Sequence, residues 1–88
     1  MIIIVSGGFD PIHSGHIQMF RQANKLGTVW AIVNSDEWLI RKKGFNLMNY
    51  DQRESIIQSN QYIDKVIPAK DKDNTIVSNL EVIHKEKI

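Results

Sequence analysis

Two histidines three positions apart, His13 and His16, follow a glycine pair in the segment Gly7-Gly8-Phe9-Asp10-Pro11-Ile12-His13-Ser14-Gly15-His16. Gly7 and Gly8 let the backbone approach a ligand closely. A helix opening at Ser14 or Gly15 would aim its free N–H groups and the positive end of its dipole at the same place. Residues three apart share one side of a helix's first turn, and Gly15 between the two imidazoles leaves room for a ligand. Such a set suits a developing anion. Phosphoryl and nucleotidyl transfer ask mainly for positioning and charge stabilisation and need no protein nucleophile, so the absence of cysteine removes nothing this chemistry requires.

Other uses of the same residues fit less well. A metal pair would need a third ligand, and no nearby Cys, Glu or third His supplies one, His84 being distant in sequence. The glycines form neither a G-x-G-x-x-G fingerprint nor a loop followed by G-K-[ST]. The histidines could also be ordinary helix-start residues.

The elements that must hold this loop follow from the hydrophobic pattern. Ile2-Ile3-Ile4-Val5 is a β-branched run of the kind found in a strand buried on both faces. A helix is expected from Ser14 or Gly15 to about Lys25, with Ile17, Phe20 and Leu26 apolar and Gly27 as its stop. Thr28 to Val33 reads as a second buried strand, and Asn34-Ser35-Asp36 as a turn capping a short helix through Leu39. Arg41 to Asn49 reads as a loop carrying Lys42, Lys43 and Gly44. Asp51 opens a helix to about Asn60, Tyr62 to Ile67 is a third strand stopped by Pro68, and Thr75 caps a last helix carrying Ile76, Val77, Leu80, Val82 and Ile83. Strands alternating with helices predict a Rossmann-like, three-layer α/β domain with a parallel sheet and right-handed crossovers. In such sheets ligands bind beyond the carboxyl ends of the strands, where the histidine loop falls.

The 88 residues suffice for one domain, 1–88. Hydrophobic residues at 42% and charged residues at 24% place the chain among folded globular proteins rather than disordered ones. Eleven basic residues against ten acidic, for a net charge of +1, give no general field for nucleic acid. The apolar run Met1 to Val5 is too short for a signal peptide or a membrane span. The expected location is cytoplasmic, with neither membrane nor nucleic acid as partner.

The ten-residue segment closely resembles the signature of the cytidylyltransferase-like nucleotidylyltransferase superfamily, G-x-F-D-x-x-H-x-G-H, directly after a strand. Val33-Asn34-Ser35-Asp36-Glu37, Lys43-Gly44, Tyr50-Asp51-Gln52-Arg53 and Tyr62 to Pro68 fall in the family's order. The resemblance, to glycerol-3-phosphate cytidylyltransferases and heptose-1-phosphate adenylyltransferase domains, covers nearly the whole chain. It implies transfer of CMP or AMP from CTP or ATP to a phosphorylated polyol or sugar, with release of pyrophosphate. By the same resemblance, backbone N–H groups around Gly8 and Phe9 bind the α-phosphate, and His13 and His16 bind the triphosphate and stabilise the transition state. Lys43, with Lys42 as substitute, reaches the phosphates from the other side. Asp10 shapes the loop, and Arg53 serves the substrate or pyrophosphate end. Magnesium rides in with the triphosphate, no protein metal site is expected, and a homodimer is.

Arg53 near a helix start is also unfavourable for the helix dipole, which independently hints at a role. Asp36 reads as a helix cap, and Trp30 and Trp38 as packing, with stacking on a base as the other use. The family's pattern continues with a further strand and a motif of the type R-x-x-x-I-S-[ST]-T opening a C-terminal helix. Neither appears before Ile88, so the domain is expected to lack them. A catalytically inactive nucleotide-binding or assembly module is therefore the rival reading. The uncharged run Ile2 to Val5 makes a hazardous bare edge, so its free side is expected to be covered by residues beyond Ile88 or by another chain.

Overall fold

The computed structural model of the chain describes residues 1–69 and 82–87. The order is β1 (Ile2–Gly7), α1 (Ser14–Asn24), β2 (Thr28–Val33), α2 (Asp36–Lys43), α3 (Tyr50–Gln58), β3 (Ile63–Pro68) and β4 (Val82–Lys87). The four strands form one sheet in the order β3-β2-β1-β4, and each neighbouring pair is parallel. This is the expected Rossmann-like α/β architecture.

β1 is interior, as its composition demands. Ile3, Ile4 and Val5 are all 0% exposed, and each such side chain contributes roughly 1.5–3 kcal/mol by leaving water. On one face Ile3, Val5, Val29, Ala31, Val33 and Ile63 meet Phe20 and Ala23 of α1, Ile57 of α3 and the ring of Phe9. Phe20 and Ala23 lie three apart and so share the stripe of α1 that faces the sheet. The opposite face carries Ile4, Trp30 and Ile32, of which Ile4 is fully buried and Trp30 half-buried.

The flank of β1 is taken by β4 of the same chain, with Ile2 opposite Val82, Val5 opposite Glu86 and Ser6 opposite Lys87. This corrects two expectations: the cover is neither a second chain nor residues beyond Ile88, and Val82 and Ile83 lie in a strand, not at the end of a helix. A β-branched pair in so short a stretch fits either period, and only the unpaired edge of β1 decides between them. The rest of that expected helix, Thr75, Ile76, Val77 and Leu80, lies outside the described residues, as does the polar stretch Asp71 to Asn74. After β1 the chain runs to β2 and β3 on one side and to β4 on the other. The loop leaving β1 therefore sits at a topological switch point, where a parallel sheet opens a crevice.

Helix boundaries differ where local caps decide them. α2 runs past Leu39 to Lys43, because Gly44 takes the left-handed conformation (φ 87°) and its N–H donates to the Ile40 carbonyl at 2.7 Å. Lys42 and Lys43 thus stand on the last helical turn, where cations oppose the negative end of the dipole, and not in a loop. Asn49 caps α3 in a box with Gln52.

Gly27 joins α1 to β2 where a Cβ would lie 2.5 Å from the Met1 carbonyl oxygen. That same oxygen accepts the Thr28 N–H at 3.0 Å. Backbone cannot swing aside as a side chain can, so Gly27→Ala should destabilise the fold by about 1–3 kcal/mol. Chemical denaturation reads this directly, and a shift below about 0.5 kcal/mol would contradict the packing described.

Candidate active site

The loop from Gly7 to His16 leaves the carboxyl end of β1 and is built by its own side chains. His13 is the N-cap of α1, and its Nδ1 accepts the Gly15 N–H at 3.0 Å. His16 reaches back so that its Nδ1 accepts the His13 N–H at 3.1 Å. This is a capping box in which imidazoles replace the usual hydroxyl and carboxamide. The two rings lie 3.9 Å apart between centroids and only 31° from parallel. The capping fixes both rings by backbone bonds and leaves Nε2 as the donor edge of each.

His13 is exposed and His16 is 3% exposed. Burial, and secondarily the neighbouring His13, lowers the His16 pKa to about 4. His16 is thus neutral at physiological pH. Because its Nδ1 is an acceptor, the proton is on Nε2. That Nε2 is buried and has no hydrogen-bond partner among the described residues. An unsatisfied buried donor costs about 1–3 kcal/mol, so this N–H gains by hydrogen-bonding an acceptor brought to the mouth of the sheet. Tyr50 Oη is the other buried side-chain polar atom without a partner among the described residues. Burial, with Glu54 nearby, raises its pKa.

Asp10 faces inward, its side chain 0% exposed. Its carboxylate accepts N–H bonds from Leu47 at 2.7 Å and Met48 at 2.6 Å, and forms an ion pair with Lys43 Nζ at 3.0 Å. Burial alone would raise its pKa, but the bonds from Leu47, Lys43 and Met48 outweigh that and hold it below the usual carboxylate value. Lys43 also donates to the Asp10 carbonyl at 2.9 Å. Asp10 therefore fastens the segment before α3 across the glycine loop and parks Lys43 beside it. Lys42 extends elsewhere, its ammonium 5.9 Å from the centroid of the Trp38 ring.

Arg53, expected to serve the substrate or pyrophosphate end, is fully buried. Its Nη1 donates to the Gly8 carbonyl at 2.8 Å and the Asn34 carbonyl at 2.6 Å, its Nε to the Met48 carbonyl at 3.0 Å, and its Nη2 to Asp36 Oδ1 at 2.7 Å. Those acceptors come from the ends of β1 and β2, the start of α2 and the approach to α3. Sequence reading missed Asp36, Asn34 and Met48 as Arg53 partners. Asp36 is not the cap of α2, since Ser35 accepts the Trp38 N–H. The available signal was the unfavourable arginine near a helix start, which calls for an acid elsewhere. Gly8 lies against Leu39, whose Cδ2 would be 2.7 Å from an added Cβ, and Trp38 lies alongside. Gly7 is buried at the end of β1, its carbonyl accepting the Asn34 N–H at 3.0 Å. The structure thus gathers Gly7, Gly8, Phe9, Asp10, His13, Gly15, His16, Lys43 and Arg53 at one end of the sheet. Among the described residues no cluster of three or more His, Cys, Asp or Glu side chains could hold a metal, and no helix is long and apolar enough to cross a membrane.

A family model described as Cytidylyltransferase-like matches residues 4–88. The chain is 32% identical over 85 residues to a glycerol-3-phosphate cytidylyltransferase from Bacillus subtilis, covering 91% of this chain and 66% of that protein. It is 33% identical over 70 residues to an FAD synthase from Archaeoglobus fulgidus, covering 80% of this chain and 51% of that one. A solved structure of a lipopolysaccharide core biosynthesis protein from Thermoplasma volcanium superposes with a TM-score of 0.78 at 22% identity, over 88% of this chain and 64% of that one. That likeness bears on the fold. The chain spans about half to two-thirds of the length of these relatives.

Two predictions follow from the capping geometry. A Cβ on Gly15 would lie 2.7 Å from His13 Cε1 and 3.0 Å from its Nδ1. Gly15→Ala should therefore push the His13 ring off its cap while leaving stability within about 1 kcal/mol, since alanine favours the helix by about that much. Imidazole nitrogen NMR should show Nδ1 of His13 losing its hydrogen bond, and an unchanged signal would contradict this. For His16 the unfolded chain titrates near 6.5 and the folded ring near 4, so between these values the unfolded state binds more protons. Stability should be level above about pH 6.5 and fall as pH drops towards 4, by on the order of 3 kcal/mol. His16→Gln should flatten that part of the curve in pH-dependent denaturation, and an equal slope in both proteins would refute the buried neutral ring.

Proposed function

Because the chain belongs to the cytidylyltransferase-like family, we propose that it serves nucleotidyl transfer, moving CMP or AMP from CTP or ATP to a phosphate oxygen of a phosphorylated polyol or sugar. The observation that carries this reading is the neutral, buried and unpartnered Nε2–H of His16 beside a glycine loop at the mouth of the sheet. The relatives' names support it: one is a cytidylyltransferase acting on glycerol 3-phosphate, another an FAD synthase.

In the proposed reaction an oxygen of the acceptor phosphate attacks the α-phosphorus. The bond from that phosphorus to the oxygen bridging to the β-phosphate breaks, and pyrophosphate leaves with the electron pair. No proton need leave an ionised acceptor phosphate, so the site needs donors rather than a base. His16 donates from Nε2 to an oxygen on which charge grows, and a neutral donor avoids the cost of burying a cation. His13, stacked on it, presents the same edge to the triphosphate. Backbone N–H groups around Gly7, Gly8 and Phe9 hold the α-phosphate, and Gly15 keeps the space between the rings. Lys43 leaves Asp10 for the phosphate oxygens, and Lys42, its substitute by resemblance, would have to leave Trp38 to act as a second cation. Magnesium would be carried in with the triphosphate. When bound it neutralises charge on the phosphates.

The test is release of pyrophosphate from CTP or ATP with magnesium and glycerol 3-phosphate or a sugar phosphate. His13→Ala and His16→Ala should each lower turnover by about two orders of magnitude or more. Normal turnover in both variants would overturn the mechanism. Nucleotide binding without turnover would point to an inactive binding module.

A further inference from the structure

We propose that Arg53 is a positioning residue for phosphate binding, its guanidinium aiming the Phe9 N–H at the nucleotide by holding the Gly8 carbonyl. The inference rests on the nucleotide-binding reading above, but assigns Arg53 a different task from contact with substrate. The side chain is 0% exposed, and its Nε, Nη1 and Nη2 are engaged by three carbonyls and one carboxylate. It could meet a ligand only by abandoning those bonds, which would leave a buried cation unpaired.

The Gly8 carbonyl and the Phe9 N–H belong to one peptide unit. In a planar trans peptide they point in opposite directions. Fixing the carbonyl on Nη1 at 2.8 Å therefore turns the Phe9 N–H away from Arg53. Phe9 itself stands in the left-handed region, φ 53°, a costly conformation for a bulky residue that persists only where its surroundings impose it. Its ring is held from one side, 1% exposed, at 5.1 Å from His16 and 5.6 Å from Phe20. Arg53 holds the peptide from the other. The Phe9 ring leans on the same His16 whose Nε2 is unpartnered, so one residue ties the backbone donor to the imidazole donor. Asp36 Oδ1, at 2.7 Å, sets where the guanidinium lies. Lysine keeps the charge but has no fork to hold three carbonyls and a carboxylate together.

Backbone and side-chain NMR of the full chain tests this. In the native protein, magnesium CTP or magnesium ATP should shift the Phe9 amide while the Arg53 Nε–H signal stays put. A moving Arg53 signal with a silent Phe9 amide would mean direct contact and overturn the proposal. In Arg53→Lys the Phe9 amide should move without any ligand, the triphosphate Kd should rise at least tenfold, and KM for the acceptor should change less than twofold. Asp36→Asn should displace the Phe9 amide in the same sense by less. If Arg53→Lys does not fold, Asp36→Asn and the native titration decide. An unmoved Phe9 amide in a folded Arg53→Lys overturns the proposal. Absence of any shift from Gly7 to His16 with either triphosphate would sink the nucleotide reading instead, and the ligand-free Phe9 amide of the variants still decides what Arg53 does.

Discussion

A guanidinium shut away from water must find acceptors for its three nitrogens, or its burial costs several kcal/mol. Arg53 is fully buried and finds them at the ends of β1 and β2, at the first residue of α2 and just before α3. Those acceptors lie on three stretches far apart in sequence, the stretches that frame the mouth of the sheet. Satisfying one cation therefore fixes where the glycine loop, the β2–α2 turn and the approach to α3 stand relative to each other. The helix-dipole disadvantage of an arginine so near the start of α3 is offset by this set of charge-assisted bonds, one of them an ion pair with Asp36.

The same end of the sheet divides its charges between opposite requirements. Asp10 is buried but stays ionised, because two backbone N–H groups and Lys43 stabilise the carboxylate. His16 is buried with no such partner and becomes neutral. One group serves as an anchor with every contact made, and the other keeps a donor in reserve. Met48 connects the two systems, its N–H on Asp10 and its carbonyl on Arg53. A strap held at both ends can keep the loop in shape without a ligand, which favours a preorganised site over one assembled on binding.

Much of this was legible in the chain itself. The run Ile2 to Val5 specified a strand covered on both faces, and its interior place in the sheet followed. The spacing of His13, Gly15 and His16 located the loop, and the alternation of strands and helices gave the parallel sheet. Local chemistry sets such features: side-chain period, β-branching and glycine at close approaches. The sequence did not disclose that α2 continues to Lys43, although Gly44 could have signalled it, and it read Val82 and Ile83 as the end of a helix where the structure has a strand. A six-residue stretch has too few periods to separate helix from strand, so the open flank of β1 decided.

The role of Arg53 and the protonation of His16 belonged to the tertiary structure alone. Composition showed an arginine in an awkward place and a histidine in a motif, but not which carbonyls would converge on one or what would surround the other. Burial is a sum over contacts from remote segments. It is burial that turns an arginine from a surface charge into the tie that joins three segments, and an imidazole from a titrating base into a neutral donor.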